Sequence, residues 1–174
     1  VVISRAHAKM VERLFELEVP EIETGTVEIK GVSREAGTRS KVAVKSNSDS
    51  VDPVGTFVGG RGARVQAVMG ELGEEKIDII LWNEDPETYI INSLSPTKVL
   101  SVELDEAEHK AVVKVPEDQL SLAIGKQGQN VRLAAKLTGW NIDIVSADES
   151  KVEATADAAV EPKEKPKKVD LEGS

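Results

Sequence analysis

"VGGRGARVQAV" at residues 58–68 and "IGKQGQNVRLA" at residues 124–134 align without a gap, Gly59 and Gly62 answering Gly125 and Gly128. The offset is 125 − 59 = 66 residues. Two glycines this close weaken any helix running through them, because glycine loses the most backbone freedom on ordering. The likeness runs on: "KIDII" at 76–80 answers "NIDIV" at 141–145, and "KVAVK" at 41–45 answers "AVVKV" at 111–115. The repeated unit is therefore a domain, present twice.

The elements of each unit follow from periodicity and punctuation. Met10, Val11, Leu14 and Phe15 share one helical face of residues 4–17, with Ser4 available as N-cap. Val27 and Ile29, then Val42 and Val44, alternate as in strands, with Gly37 and Ser40 in the turn between them. Asp52-Pro53 reads as a capped helix start, and Gly59 keeps that helix short. A second helix carries Val65, Val68, Met69 and Leu72 on its face and closes at Gly73, before a strand at 77–81. Asp85-Pro86 restarts the cycle: a helix to about Leu94, strands near 98–104 and 110–115, a helix from Pro116, the second glycine pair, a helix to Leu137, and a strand at 141–145. Only Trp82 to Asp85 separate the units, so the two domains are expected to pack together.

Beyond Ser146 the sequence turns to Ala, Glu, Lys and Pro, and "EPKEKPKK" cannot build a core. Residues 147–174 thus read as a disordered tail, ending in a possible cloning remnant, "LEGS".

With no cysteine, disulfides and thiolate metal sites are excluded. No apolar run approaches the roughly 20 residues that span a bilayer, and a cytoplasmic location is expected. A net charge of −9 argues against nucleic acid on average, since phosphate neutralisation drives such binding. Local placement decides the field a ligand meets, however, and Arg61, Arg64, Lys126, Arg132 and Lys136 cluster at the glycine loops.

A glycine pair can simply be a tight joint between helices. Here each loop also opens a helix, whose free N–H groups and positive dipole end suit a phosphate oxygen. Glycines let another backbone approach closely, polar residues stand between them (Gly60 and Arg61, Lys126 and Gln127), and aliphatic Val58, Val65, Ile124 and Val131 flank them. These features describe a groove with a phosphate-gripping lip and an apolar floor, suited to single-stranded nucleic acid.

Helix, GxxG and helix against a three-stranded sheet resembles the KH domain, whose loop clamps about four nucleotides. A helix and two strands before the GxxG unit is similar to the type II arrangement. "VDPVGTFVGGRGARVQAVMGELGEEKIDIILW" and "AIGKQGQNVRLAAKLTGWNIDI", with the linker "WNEDPETYIINSLSP", resemble the adjacent KH pair of the NusA family of bacterial transcription factors. The resemblance implies an α+β fold of two consecutive type II KH domains, at 5–83 and 84–146, with residues 1–4 the last strand of a preceding S1 domain. It implies binding of nascent single-stranded RNA in pausing, termination and antitermination. RNA polymerase would be bound through a domain absent from these residues, and other transcription factors are further possible partners.

By the same resemblance, the strand after the second helix edges each groove, so Ile79 and Ile144 would face bases. Gly59, Gly60, Arg61 and Gly62 would hold one stretch of backbone, and Gly125, Lys126, Gln127 and Gly128 the next. Arg64 and Arg132 would add charge, and Asn130 would donate to phosphate or sugar. The extra glycine at Gly60 loosens the first loop.

No enzyme, cofactor or metal site is expected. His7 and His109 do not correspond in the repeat, and "ELDEAE" at 103–108 falls between two strands, where a solvated hairpin turn is the simpler reading. Neither GxxxxGK[ST] nor GxGxxG is present. Trp82 and Trp140 flank the last strands and read as packing residues. Two alternatives stay open: a protein-docking module using acidic Glu71–Glu75 and Glu84–Glu87, or a different KH-type RNA-binding protein.

Overall fold

Asp52 and Asp85 each begin a helix by the same device. Asp52 Oδ1 accepts from Val54 N at 3.1 Å and Asp85 Oδ2 from Thr88 N at 3.2 Å, with proline next in each case. The structure is a computed structural model, which describes residues 2–147 and 152–158.

In the first domain, α1 (Val2–Glu18) and a short α2 (Pro20–Glu23) precede β1 (Val27–Glu35) and β2 (Arg39–Ser46). Then come α3 (Pro53–Val58), α4 (Ala63–Glu71) and β3 (Lys76–Leu81). The second domain runs α5 (Pro86–Ser93), β4 (Ser101–Asp105), β5 (Lys110–Val115), α6 (Leu120–Ile124), α7 (Gln129–Thr138), β6 (Asn141–Ser146) and β7 (Val152–Ala156). The sheets are ordered β1-β2-β3 and β4-β5-β6-β7. In each, the first pair is antiparallel and the strand after the glycine loop lies parallel to the centre.

Val2–Ser4 form the first turn of α1, not a strand, and Ser4 is inside the helix. Within α1, Val11 and Phe15 are fully buried, while Met10 lies off the core face at 49 % exposure. The sequence pairing of 41–45 with 111–115 is one residue out. Lys41 lies opposite Asp78 and Val112 opposite Asp143, so Lys41 corresponds to Val112 and Arg39 to Lys110. A one-residue shift exchanges the faces of a strand, and the ion pairs agree with the register: Arg39–Asp78 at 3.0 Å and Lys110–Asp143 at 3.1 Å.

Residues 152–156, read as disordered tail, form β7 and make the second sheet four-stranded. "VEATA" alternates as a half-buried strand does, and Ala154 and Ala156 pack into the second core. Its lack of large apolar residues hid that pattern. The rest of the expected tail, 148–151 and 159–174, lies outside the described residues.

Each sheet buries one face under its own helices, Val42, Val44, Phe15 and Phe57 in the first core and Val113, Ala134, Ile142 and Ile144 in the second. The opposite face of the first sheet is covered by the second domain: α7 packs on β1 and β2, and α5 on β3. Ala43, Lys41 and Ile80 are buried there, and Lys41 Nζ donates to Asp78 and across to Ser95 O at 3.1 Å. The short connection thus joins domains in direct contact, and it fixes the two glycine loops relative to each other.

Candidate nucleic-acid interface

The chain reverses between α3 and α4, and again between α6 and α7, through the same backbone path. Gly59 has φ 81° and ψ 168°, Gly125 φ 79° and ψ 170°. Arg61 and Gln127 at the loop tips take φ 57° and 55°, in the left-handed region, and Gly62 and Gly128 both take φ 76°. A left-handed turn by a residue with a Cβ costs about 1–2 kcal/mol. Two loops of different sequence hold that strained tip alike.

The four glycines have different jobs. A Cβ on Gly59 would come within 2.8 Å of Arg64 N, and one on Gly125 within 2.6 Å of Asn130 N. At these positions the chain crosses the next helix too closely for any side chain. At Gly62 and Gly128 nothing lies nearer than 3.5 Å and 3.8 Å. Gly60 keeps an ordinary φ in open space, so the first loop does not require its third glycine.

Between the glycines, Gly60, Arg61, Lys126 and Gln127 are exposed. Val58, Val65, Ile79 and Ile124 are half-buried beside the loops. The β3 edge opens into a shallow pocket of about 290 Å³ lined by Ile79, Leu81, Ile91, Asn92, Ser95 and Pro96, at the domain junction.

Other expected contacts are already engaged within the protein. Asn130, 2 % exposed, donates from Nδ2 to Leu94 O at 3.2 Å and Ala123 O at 3.1 Å, which ties α7 to α5 and α6. Val131 is buried, and Ile144 is fully inside the second core because it shares the helix-facing side of β6 with Ile142. Arg132 donates to Glu35 from Nε and Nη2, and from Nη1 to Gln127 O at 3.0 Å. The Glu35 bonds hold the guanidinium above its ordinary pKa. Arg64 donates to Thr56 O at 2.9 Å and pairs with Glu21 at 3.0 Å. Both arginines brace the loops from behind, a role that composition and spacing do not reveal.

The acidic run at 71–75 is not one continuous exposed face. Glu75 is fully buried and accepts from Arg34 Nε and Nη2 at 2.9 Å each, from Gly37 N at 2.9 Å and from Ser40 Oγ at 2.6 Å. "ELDEAE" is half strand and half turn, residues 103–105 ending β4 and 106–108 leading towards β5, and among the described residues no group of His, Cys, Asp or Glu could hold a metal ion. Trp140 stacks on His109, centroids 4.1 Å apart, while half-buried Trp82 meets Tyr89 edge-on with Lys30 Nζ 4.8 Å above its ring. The His7 side chain lies outside what is described. No described helix is long and apolar enough to cross a membrane.

Family models place this geometry. The NusA-like first KH domain matches residues 5–82 and the NusA-like second KH domain residues 86–152. Among curated proteins, the transcription termination/antitermination protein NusA of Halalkalibacterium halodurans is 59 % identical over 150 residues, that of Bacillus subtilis 56 % over 151, and that of Thermus thermophilus 54 % over 161. These alignments cover 86 %, 87 % and 92 % of this chain but 39 %, 41 % and 42 % of the relatives. Among solved structures, APE1850 shares the fold, with a TM-score of 0.57 and 22 % identity over 81 % of this chain and 98 % of that one.

Proposed function

The chain belongs to the family of NusA-like KH domains, and from that premise we propose that it binds single-stranded RNA through its two glycine loops, without chemistry. The observation that carries this reading is the duplicated loop. Two sequences share one strained backbone path and present exposed Arg61, Lys126 and Gln127 where helices α4 and α7 begin. Free N–H groups and the positive dipole end of each helix favour phosphate oxygens there. The half-buried aliphatic residues beside each loop provide a floor for bases.

Both loops sit on one frame held at the domain junction, so binding at one raises the effective RNA concentration at the other. In a longer protein, this module serves transcription pausing, termination and antitermination by gripping nascent RNA. A further domain outside these residues contacts RNA polymerase, and a cytoplasmic location goes with that role.

The test is fluorescence anisotropy with a labelled single-stranded RNA library at two salt concentrations. The comparison variant carries Gly60→Asp, Arg61→Asp, Lys126→Asp and Gln127→Asp. Aspartate tolerates the left-handed tips, and all four GxxG glycines stay. The parent binds, more weakly as salt rises, and the folded variant does not. Failure of the parent to bind at low salt removes the RNA reading.

A further inference from the structure

In the first domain no described strand pairs with the far edge of β3, and Ile77 and Ile79 remain half-buried. In the second, the corresponding edge of β6 is taken by β7, and Ile142 and Ile144 are fully buried. Ala156 lies opposite Ile142 and Ala154 opposite Ile144, the two alanines closing over the core beneath α7. The matching part of the second KH family model ends at residue 152, where β7 begins. The two grooves therefore differ in one respect: the chain itself occupies the strand edge beside the second.

We propose that β7 is a displaceable cover on the second RNA groove, competing with a single strand for the backbone groups of β6. This rests on the RNA reading above. A strand edge offers its N–H and C=O groups once, to β7 or to an incoming ligand. The cover also repels phosphate, because Glu153 and Asp157 are exposed along it. Its hold is slight. The ladder is short and irregular between Ile144 and Val145, and the packing side chains of Ala154 and Ala156 are single methyls. Side-chain anchors are Thr155 Oγ1 donating to Asp143 Oδ1 at 2.9 Å and Asn141 Oδ1 accepting from Ala158 N at 2.8 Å. The first groove is open at rest and the second opens as β7 leaves.

Since the chain contains no cysteine, the cover can be locked by one engineered disulfide. Asp143 and Thr155 are cross-strand partners with side chains already in contact, so Asp143→Cys with Thr155→Cys suits bridging. The full chain is titrated with a labelled single-stranded RNA of about a dozen nucleotides, enough for two KH footprints of about four each, with and without reductant. The oxidised form binds about tenfold more weakly than the reduced form if β7 must leave for the second groove to engage, whereas the parent ignores reductant. In parallel, hydrogen exchange on the unaltered parent follows residues 152–158, which lose protection when RNA saturates the protein. That second readout decides the matter should the cysteine variant not fold. Equal affinity of both redox forms, or unchanged exchange across β7 on saturation, overturns the cover while leaving RNA binding standing. No binding by parent or variant overturns the RNA reading, and the cover with it.

Discussion

Arg132 in the second domain closes on Glu35 in the first, Nη2 donating to Oε1 at 2.9 Å while Nε donates to Oε2. Gln129 adds a bond from Nε2 to Glu35 Oε1 at 2.9 Å. The helix that opens at the second glycine loop is thereby anchored on the sheet of the first domain.

Arg132→Ala removes that anchor. A half-exposed, charge-assisted contact of this kind contributes about 1–2 kcal/mol. The expected result is a lower Tm together with faster proteolysis at residues 82–85, as the domains part. A double-mutant cycle with Glu35→Ala gives a coupling energy near the single loss. An unchanged Tm with lost RNA affinity would instead make Arg132 a phosphate ligand alone.

Acid weakens the protein at two named carboxylates. Burial pushes both Glu35 and Glu75 upward, but bonds from Arg132 and Gln129, and from Arg34, Ser40 and Gly37 N, outweigh it and hold each below the ordinary 4.5. A carboxylate depressed on folding contributes stability that is complete above its unfolded value and lost as pH falls through its folded value. Urea denaturation from neutral pH to about pH 3 should therefore show stability falling once pH drops below the ordinary value of 4.5. Glu75→Gln flattens part of that slope and costs about 3 kcal/mol at neutral pH, since Arg34 loses its buried partner charge.

The glycines of each pair separate by stability. Gly125→Ala and Gly59→Ala put a Cβ into the backbone of the following helix, a loss of about 3 kcal/mol or more on top of the left-handed cost. Gly62→Ala and Gly128→Ala meet only the ends of the Gln66 and Arg132 side chains, at ordinary contact distance, and lose about 1 kcal/mol. Chemical denaturation of the four variants gives the order; equal losses would contradict it.

Asn130→Ala leaves the carbonyls of Leu94 and Ala123 without their donor. A loss of about 2 kcal/mol follows for buried groups left unpaired, read as a shift in urea midpoint. The same variant binds RNA more weakly only in proportion to unfolding, because the amide faces inward.

Arg61→Gly and Gln127→Gly relieve strained loop tips. Relief of about 1–2 kcal/mol against a glycine entropy cost of about 0.5–1 kcal/mol leaves stability unchanged or slightly raised. RNA affinity falls in both, and the salt dependence becomes shallower for Arg61→Gly alone, because only that change removes a charge. Loss of stability in either variant would show the tips to be unstrained.

The duplicated domain, the two glycine loops and the element order apart from β7, the short α2 and the first turn of α1 are legible in the sequence alone. Those features are local: turn chemistry at Gly59 and Gly125, proline-primed caps at Asp52 and Asp85, and apolar alternation in the strands. Register was less legible, since "KVAVK" and "AVVKV" look alike at either of two offsets, and only pairing with Asp78 and Asp143 fixes which face each residue takes. Which basic and polar residues stay available was decided by the tertiary structure. Arg132, Arg64 and Asn130 carry the same donors as an RNA contact would, and they find acceptors in Glu35, Glu21 and the Leu94 carbonyl, which lie far off in the chain. The fate of β7 was decided there too, because a strand of small residues gains its place from the free edge of β6 and not from its own hydrophobicity.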